Sequence, residues 1–188
     1  MDQYLTNVIK QFLYYKLLGE KAINQLKAPQ LFIKHNEHSN SIAVIIKHMS
    51  GNMLSRWTDF LTTDGEKPGR NRDLEFTEEI HSKEELFEIW EAGWSCLFNT
   101  LNTLEKNDLS SIIYIRNEGH TVLEAINRQL SHYPYHVGQI VFYAKQLVNN
   151  EWENLSIPKN KSVQYNTLKF EKEKTIKNFT DEEIKGLL

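Results

Sequence analysis

Apolar side chains recur at intervals of three and four through most of the first 150 positions, the spacing of one face of an α-helix. Between 4 and 27 the stripe is Tyr4, Val8, Phe12, Leu13, Tyr15, Leu18, Ala22, Ile23 and Leu26, and Pro29 ends it. Leu31-Phe32-Ile33 predicts a short extended piece, and the polar segment 35–40 follows. A second stripe, Ile42, Ile45, Ile46, Met49, Met53, Trp57 and Phe60, predicts a helix starting between 39 and 41 and running to about Leu61. Residues 62–80 are polar and hold Asp64-Gly65-Glu66-Lys67-Pro68-Gly69-Arg70, which is loop chemistry. Loops of that length are often functional or mobile.

Ser82-Lys83-Glu84-Glu85 is a capping box in front of a third stripe, from Leu86, Ile89 and Trp90 to Leu104, closed by Asn107-Asp108. Residues 111–116 are short and β-branched, and Asn117-Glu118-Gly119 predicts a turn after a single small strand or extended crossing. The fourth helix starts near Thr121, with Glu124 completing a second capping box. Its seam is Leu123, Ile126, Leu130, Tyr133, Val137, Ile140 or Val141, Ala144 and Leu147, and Asn149-Asn150 ends it. Beyond Trp152 the pattern weakens: 156–162 is loop, 166–179 is lysine-rich, and Thr180 to Ile184 caps a last short helix. The fold expected is all-α: a four-helix bundle over residues 1–150, with a loop-rich extension over 151–188 that packs on the bundle or is partly mobile.

Composition narrows the class of protein. A chain of 188 residues, 40% hydrophobic, supports one well-buried domain. A net charge of −3 with no basic cluster argues against a nucleic-acid partner. Met1-Asp2-Gln3-Tyr4 lacks the basic-then-apolar start of a signal peptide, and no apolar run approaches the roughly 18 residues of a membrane span. A soluble cytoplasmic protein without a membrane partner is expected. The single cysteine, Cys96, excludes an internal disulfide, and its neighbours Trp94, Leu97 and Phe98 predict a buried structural thiol rather than a nucleophile.

The candidate chemistry lies in three helical histidines. His132 and His136 stand four apart, one above the other on the same helix face. They project about 100° from the seam, with Ala125, Gln129 and Tyr143 on the same side. His48 lies at the flank of the second helix, followed along that side by Asn52 and Arg56. If the second and fourth helices are neighbours, His48 can face the pair, which makes a three-histidine metal site with open coordination positions. The plainer alternative is a chance pair of histidines at a polar flank. Pro134 sits between them, and a kink there either turns His132 away or aims both rings inward. Asn52 and Arg56 are either substrate contacts or solvated, and Tyr143 is either a substrate contact or a packing residue. His35, His38 and His81 read as solvated, and His120 as a capping or surface residue.

These residues resemble the DinB-like superfamily of four-helix metal proteins, which carries an early helical histidine and a His-x-x-x-His pair on its last long helix, commonly followed by Gly-Gln. The matching residues are His48 within Ile46-Lys47-His48-Met49, and His132-Tyr133-Pro134-Tyr135-His136 followed by Val137-Gly138-Gln139. The stretch from Ser131 to Val141 is similar to the uncharacterised Bacillus-type branch, and the likeness spans about residues 1–150. The resemblance implies an up-down-down-up bundle, a divalent metal (zinc or nickel) on His48, His132 and His136, and frequent homodimers. It further implies a small-molecule substrate and, in some relatives, thiol S-transfer with bacillithiol, mycothiol or glutathione. The expectation is a metal-dependent transferase or hydrolase. The alternative is a non-catalytic bundle that a metal staples, or that binds or sequesters a small molecule, because the sequence shows no obvious acid or base beside the histidines.

Overall fold

Four long helices form where the apolar stripes run: α1 (Gln3–Asn24), α2 (Ile42–Trp57), α3 (Lys83–Thr103) and α4 (Val122–Val148). The computed structural model describes residues 3–77, 80 and 82–188; the expectations for Met1, Asp2 and His81 lie outside them. Capping fixes three of the helix starts. Ser41 Oγ accepts the Val44 N–H at 3.3 Å, Ser82 Oγ the Glu85 N–H at 3.1 Å, and Thr121 Oγ1 the Glu124 N–H at 3.1 Å. Glu124 returns the bond by accepting from the Thr121 N–H at 3.2 Å, so the capping box predicted at this helix start is complete.

The helix ends and connectors depart from the sequence reading in ways that have local causes. The expected extended piece at 31–33 is instead a 3-10 turn over Ala28–Phe32. Pro29 sits in its first turn, where no N–H donor is needed, and Gln30 Oε1 closes the turn by accepting the Lys27 N–H at 2.8 Å. Helix α2 stops at Trp57, short of Leu61. Thr58 is extended and Asp59 takes φ +47°, while Thr100 Oγ1 donates to the Trp57 carbonyl at 2.7 Å and satisfies the helix end. The single strand expected before α4 is a hairpin, β1 (Ile112–Ile115) paired antiparallel with β2 (Glu118–Thr121), Ile115 opposite Glu118. Its turn falls on Arg116 and Asn117, one position earlier than expected, both with positive φ (56° and 62°) as a two-residue hairpin turn requires. The Asp64 carboxylate holds that turn by accepting the N–H of Arg116 and of Asn117, each at 2.9 Å.

Helix α2 packs on α3 and α4, and α1 packs on α4 and α3. The buried centre is aromatic: Phe12, Trp94 and Tyr133 meet with ring centroids 5.8–6.4 Å apart, beside Trp90 and Trp57. The buried face of α4 differs from the expected seam in its first turns. Leu123 is exposed, and Ala125 and Gln129 are buried instead, so the face turns toward the histidine side. Helix α4 continues unbroken through Pro134.

Helices α2 and α3 approach closely at Gly93. A Cβ there would lie 2.8 Å from the Ser50 Cα and 2.9 Å from its Oγ, with backbone rather than a flexible side chain in the way. Gly93→Ala gains about 1 kcal/mol of helix propensity, yet it is expected to lose about 1–3 kcal/mol of stability overall through overpacking. Urea unfolding measures this; a net gain would mean that the two helices separate without cost.

Beyond α4 the chain forms α5 (Ser162–Phe170), a helix that the sequence reading left as loop and lysine-rich chain, and α6 (Thr180–Leu187). Helix α5 exposes Val163, Leu168 and Phe170, and an apolar stripe on so short and exposed a helix leaves little periodic signal. Helix α6 packs on α1, where Lys10 Nζ pairs with Asp181 at 2.6 Å and Asn178 Nδ2 donates to Asn7 Oδ1 at 2.7 Å. Among the described residues, no helix is long and apolar enough to cross a membrane.

Candidate metal centre

The packing of α2 on α4 puts His48 beside His132 and His136. One ring nitrogen from each of the three lies within 4.8 Å of the others. The ring centroids of His48 are 5.6 Å from His132 and 5.0 Å from His136, and the pair on α4 is 4.7 Å apart. The unbroken passage of α4 through Pro134 keeps the two imidazoles on one side, so the proline does not turn His132 away.

Each ring is held by its Nδ1. His48 Nδ1 lies 2.9 Å from Glu75 Oε2, His132 Nδ1 3.1 Å from Gln129 Oε1, and His136 Nδ1 2.9 Å from Gln139 Oε1. The partner atom is an oxygen in each case, and in the tautomer with the proton on Nδ1 each ring donates to that oxygen and offers its Nε2 lone pair. His132 Nε2 and His136 Nε2 face each other at 3.0 Å. That distance suits either a proton shared between the two nitrogens or, with both lone pairs free, a cation set against both. Burial, followed by the charges of His136 and His48, pushes His132 down to about 4, and burial also lowers His136. Both shifts favour the uncharged imidazole of His132 and His136, the state that binds metal. Zinc–nitrogen bonds of about 2.0–2.1 Å put two tetrahedral ligands about 3.3 Å apart, near the spacing of the α4 pair. The donor set therefore fits a divalent metal, and the supporting oxygens fix tautomer and ring orientation as the outer partners of metal-bound histidines do.

The acid that the sequence reading did not find comes from the 62–80 loop. A 3-10 turn over Asp73–Phe76 presents Glu75, buried, to His48, and the Phe76 ring lies 5.1 Å from the His48 ring. Arg70 clamps Glu75 with two bonds, Nε to Oε1 at 2.7 Å and Nη2 to Oε2 at 3.0 Å. Burial alone would raise the Glu75 carboxyl, but the bonds from His48 and Arg70 hold it below the ordinary glutamate value. No local pattern announces Glu75, which is 27 residues from His48 in sequence. Gln129 and Gln139 do carry a signal: each stands three residues from its histidine, within reach on one helix face.

The expected substrate contacts fall in different places. Asn52 and Arg56 are both buried, so neither is solvated. Asn52 Oδ1 accepts from Tyr133 Oη at 3.0 Å, and that hydroxyl accepts from Trp57 Nε1 at 3.0 Å. Arg56 donates to the Gly65 carbonyl and, through both terminal nitrogens, to Glu66 Oε2 at 3.1 Å. Burial lowers the Arg56 guanidinium from its usual value, with Glu66 opposing. Tyr143 Oη donates to the Ile33 carbonyl at 3.2 Å. His35 and His38 are exposed, as expected. His120 lies on β2 rather than at a helix cap, and its Nε2 is buried without a hydrogen-bond partner among the described residues. Cys96 is half-buried rather than buried, 3.5 Å from Thr58 Oγ1.

A cavity of about 970 Å³ lies away from the histidines, between the end of α1, the 151–158 segment, α5 and α6. The sequence pattern of a family described as protein of unknown function, DUF1572, matches residues 1–161, and the chain belongs to that family. No curated protein and no solved structure matches the chain.

Proposed function

We propose that this DUF1572 protein is a divalent-metal-dependent enzyme built on a DinB-like up-down-down-up four-helix bundle over residues 1–150, with 151–188 as an appended extension. The observation that carries the reading is the convergence of three ring nitrogens within 4.8 Å while each Nδ1 is engaged by an oxygen. His48, His132 and His136 would hold zinc or nickel, both suited to imidazole. When bound, such an ion supplies Lewis-acid chemistry that lowers the pKa of a coordinated thiol or water. The reaction class is thiol S-transfer, of the bacillithiol type, or hydrolysis of an electrophilic small molecule. Glu75, Gln129 and Gln139 keep the three Nε2 lone pairs directed at one point. Asn52, one helical turn from His48, has its carbonyl oxygen tied to Tyr133 and presents its amide N–H groups to a substrate. Arg56 serves the site by anchoring Glu66, and Tyr143 by tying α4 to Ile33, the residue that follows the 3-10 turn. The protein acts in the cytoplasm as a homodimer.

The rival reading is a metal that only staples the bundle, and it draws on the fact that the ligands bridge α2 and α4. Two measurements separate the readings. Protein loaded with zinc or nickel is assayed with a low-molecular-weight thiol against a panel of alkyl and aryl electrophiles and esters. Metal-dependent turnover is expected, and none on the whole panel would remove the enzyme reading. Chelated protein is expected to keep its helical circular dichroism and a cooperative melt, because Trp57, Trp90, Trp94 and Tyr133 form a buried aromatic core that none of the three histidines belongs to. A structural ion contributes about 10–16 kcal/mol, comparable to the whole stability of a domain, so unfolding on chelation would favour the staple.

A further inference from the structure

The three histidines are supported unequally. Gln129 and Gln139, which hold His132 and His136, lie on the same helix as the residues they support. Their hold is a local property of α4. His48 alone is supported from outside the helices, by Glu75 of the 64–77 segment. That segment is tied down by a chain of charge that is buried except at the half-buried Glu66. Arg56 pairs with Glu66 at 3.1 Å, Glu66 lies 3.5 Å from Arg70, Arg70 clamps Glu75, and Glu75 reaches His48. At its far end Lys47 Nζ donates to the Thr77 carbonyl at 3.3 Å. Leu74 points outward, 47% exposed. The hold is therefore largely polar, and a buried carboxylate such as Glu75 keeps its place only while its partners are correctly oriented.

We propose that the 64–77 segment is a strap whose closure is thermodynamically linked to metal occupancy of the histidine centre, with Glu75 as the positioning residue that couples them. This rests on the metal reading above. The coupling is a matter of tautomer. With its proton on Nδ1, His48 donates to Glu75 and offers Nε2 to an ion. With its proton on Nε2, the Nδ1 lone pair faces a carboxylate, so the His48 tie to the strap is lost and the ion finds no Nε2 lone pair. An ion at Nε2 excludes the second form, which strengthens the grip on Glu75. A closed strap excludes it too, which raises affinity for the ion. Linkage requires the two effects to be equal in factor.

Gly51 supplies an independent handle. It lies on α2 under the strap, where a Cβ would fall 2.4 Å from Glu75 Oε1 and 2.8 Å from its Cδ. Gly51→Ala displaces the carboxylate without removing its charge, while favouring the helix. Glu75→Gln removes the charge and keeps the shape.

The test measures zinc affinity by competition with a chromophoric chelator and hydrogen–deuterium exchange across residues 64–77. It uses the wild type, Glu75→Gln and Gly51→Ala, with His136→Ala as the control for the metal centre itself. Zinc is expected to slow exchange in the wild-type strap. Both strap variants are expected to bind zinc about 10–100-fold more weakly and to lose the zinc-dependent protection of 64–77, with exchange in α4 unchanged. Undiminished zinc affinity in both variants would overturn the proposal and leave the metal reading standing. So would weaker affinity with wild-type strap exchange that ignores zinc, since Glu75 would then be a static support. A wild type that binds no zinc would overturn both. The wild-type exchange experiment needs no variant, so misfolding of either one leaves the proposal open to refutation.

Discussion

Tyr133→Ala is expected to cost about 3–5 kcal/mol of stability, the range for emptying a large aromatic site in a packed core. Tyr133 is 0% exposed and stacks its ring edges against Phe12 and Trp94. Its hydroxyl also joins two buried polar groups, accepting from Trp57 Nε1 and donating to Asn52 Oδ1. Truncation removes the ring and orphans both partners at once. Burial pushes the phenol well above its ordinary value, so it stays a donor throughout the accessible pH range. Tyr133→Phe separates the two contributions: it keeps the ring and is expected to cost about 1–3 kcal/mol for the unsatisfied groups alone. Urea unfolding of both variants checks the account. A loss below about 1 kcal/mol for the alanine variant would show that the aromatic cluster is not the centre of the core.

His48→Ala is expected to weaken zinc binding by more than the roughly 10–100-fold that follows loss of a supporting partner, because it deletes a ligand instead of disorienting one. The same substitution is expected to leave the helices intact. His48 is only one of the partners of Glu75, and Arg70 remains bonded to both carboxylate oxygens. The buried carboxylate is therefore not left uncompensated, which is the circumstance that makes breaking a buried pair costly. Competition titration gives the affinity, and far-ultraviolet circular dichroism gives the fold. Wild-type affinity in the variant would mean that the α4 pair binds without α2.

The periodic half of the chain was readable because burial imposes a period. Ile42 through Trp57 and the seam of α4 place His48, His132 and His136 at helix flanks, and α2 packing on α4 brings those flanks together. The caps at Ser82 and Thr121, the second a full capping box, mark helix starts by a mechanism that acts within four residues, and so can be read locally. What could not be read depends on distant partners. The hairpin turn at Arg116 and Asn117 is fixed by Asp64, more than fifty residues earlier. The end of α2 at Trp57 depends on Thr100. Glu75 is one acid among several in a polar loop until the fold sets it against His48 and Arg70. The positions of Asn52 and Arg56 at a helix flank fit either a substrate contact or a solvated residue; Tyr133 engages the first and the Gly65–Glu66 stretch the second.

The central claim is that His48, His132 and His136 share one divalent ion. It is tested most directly by plasma mass spectrometry of protein purified without an affinity tag, wild type beside His136→Ala. Near-stoichiometric zinc or nickel in the wild type, with little in the variant, is the predicted result. No metal in either protein, even after reloading with zinc and nickel, would contradict the claim. The facing Nε2 pair of α4 would then be a hydrogen bond between two imidazoles.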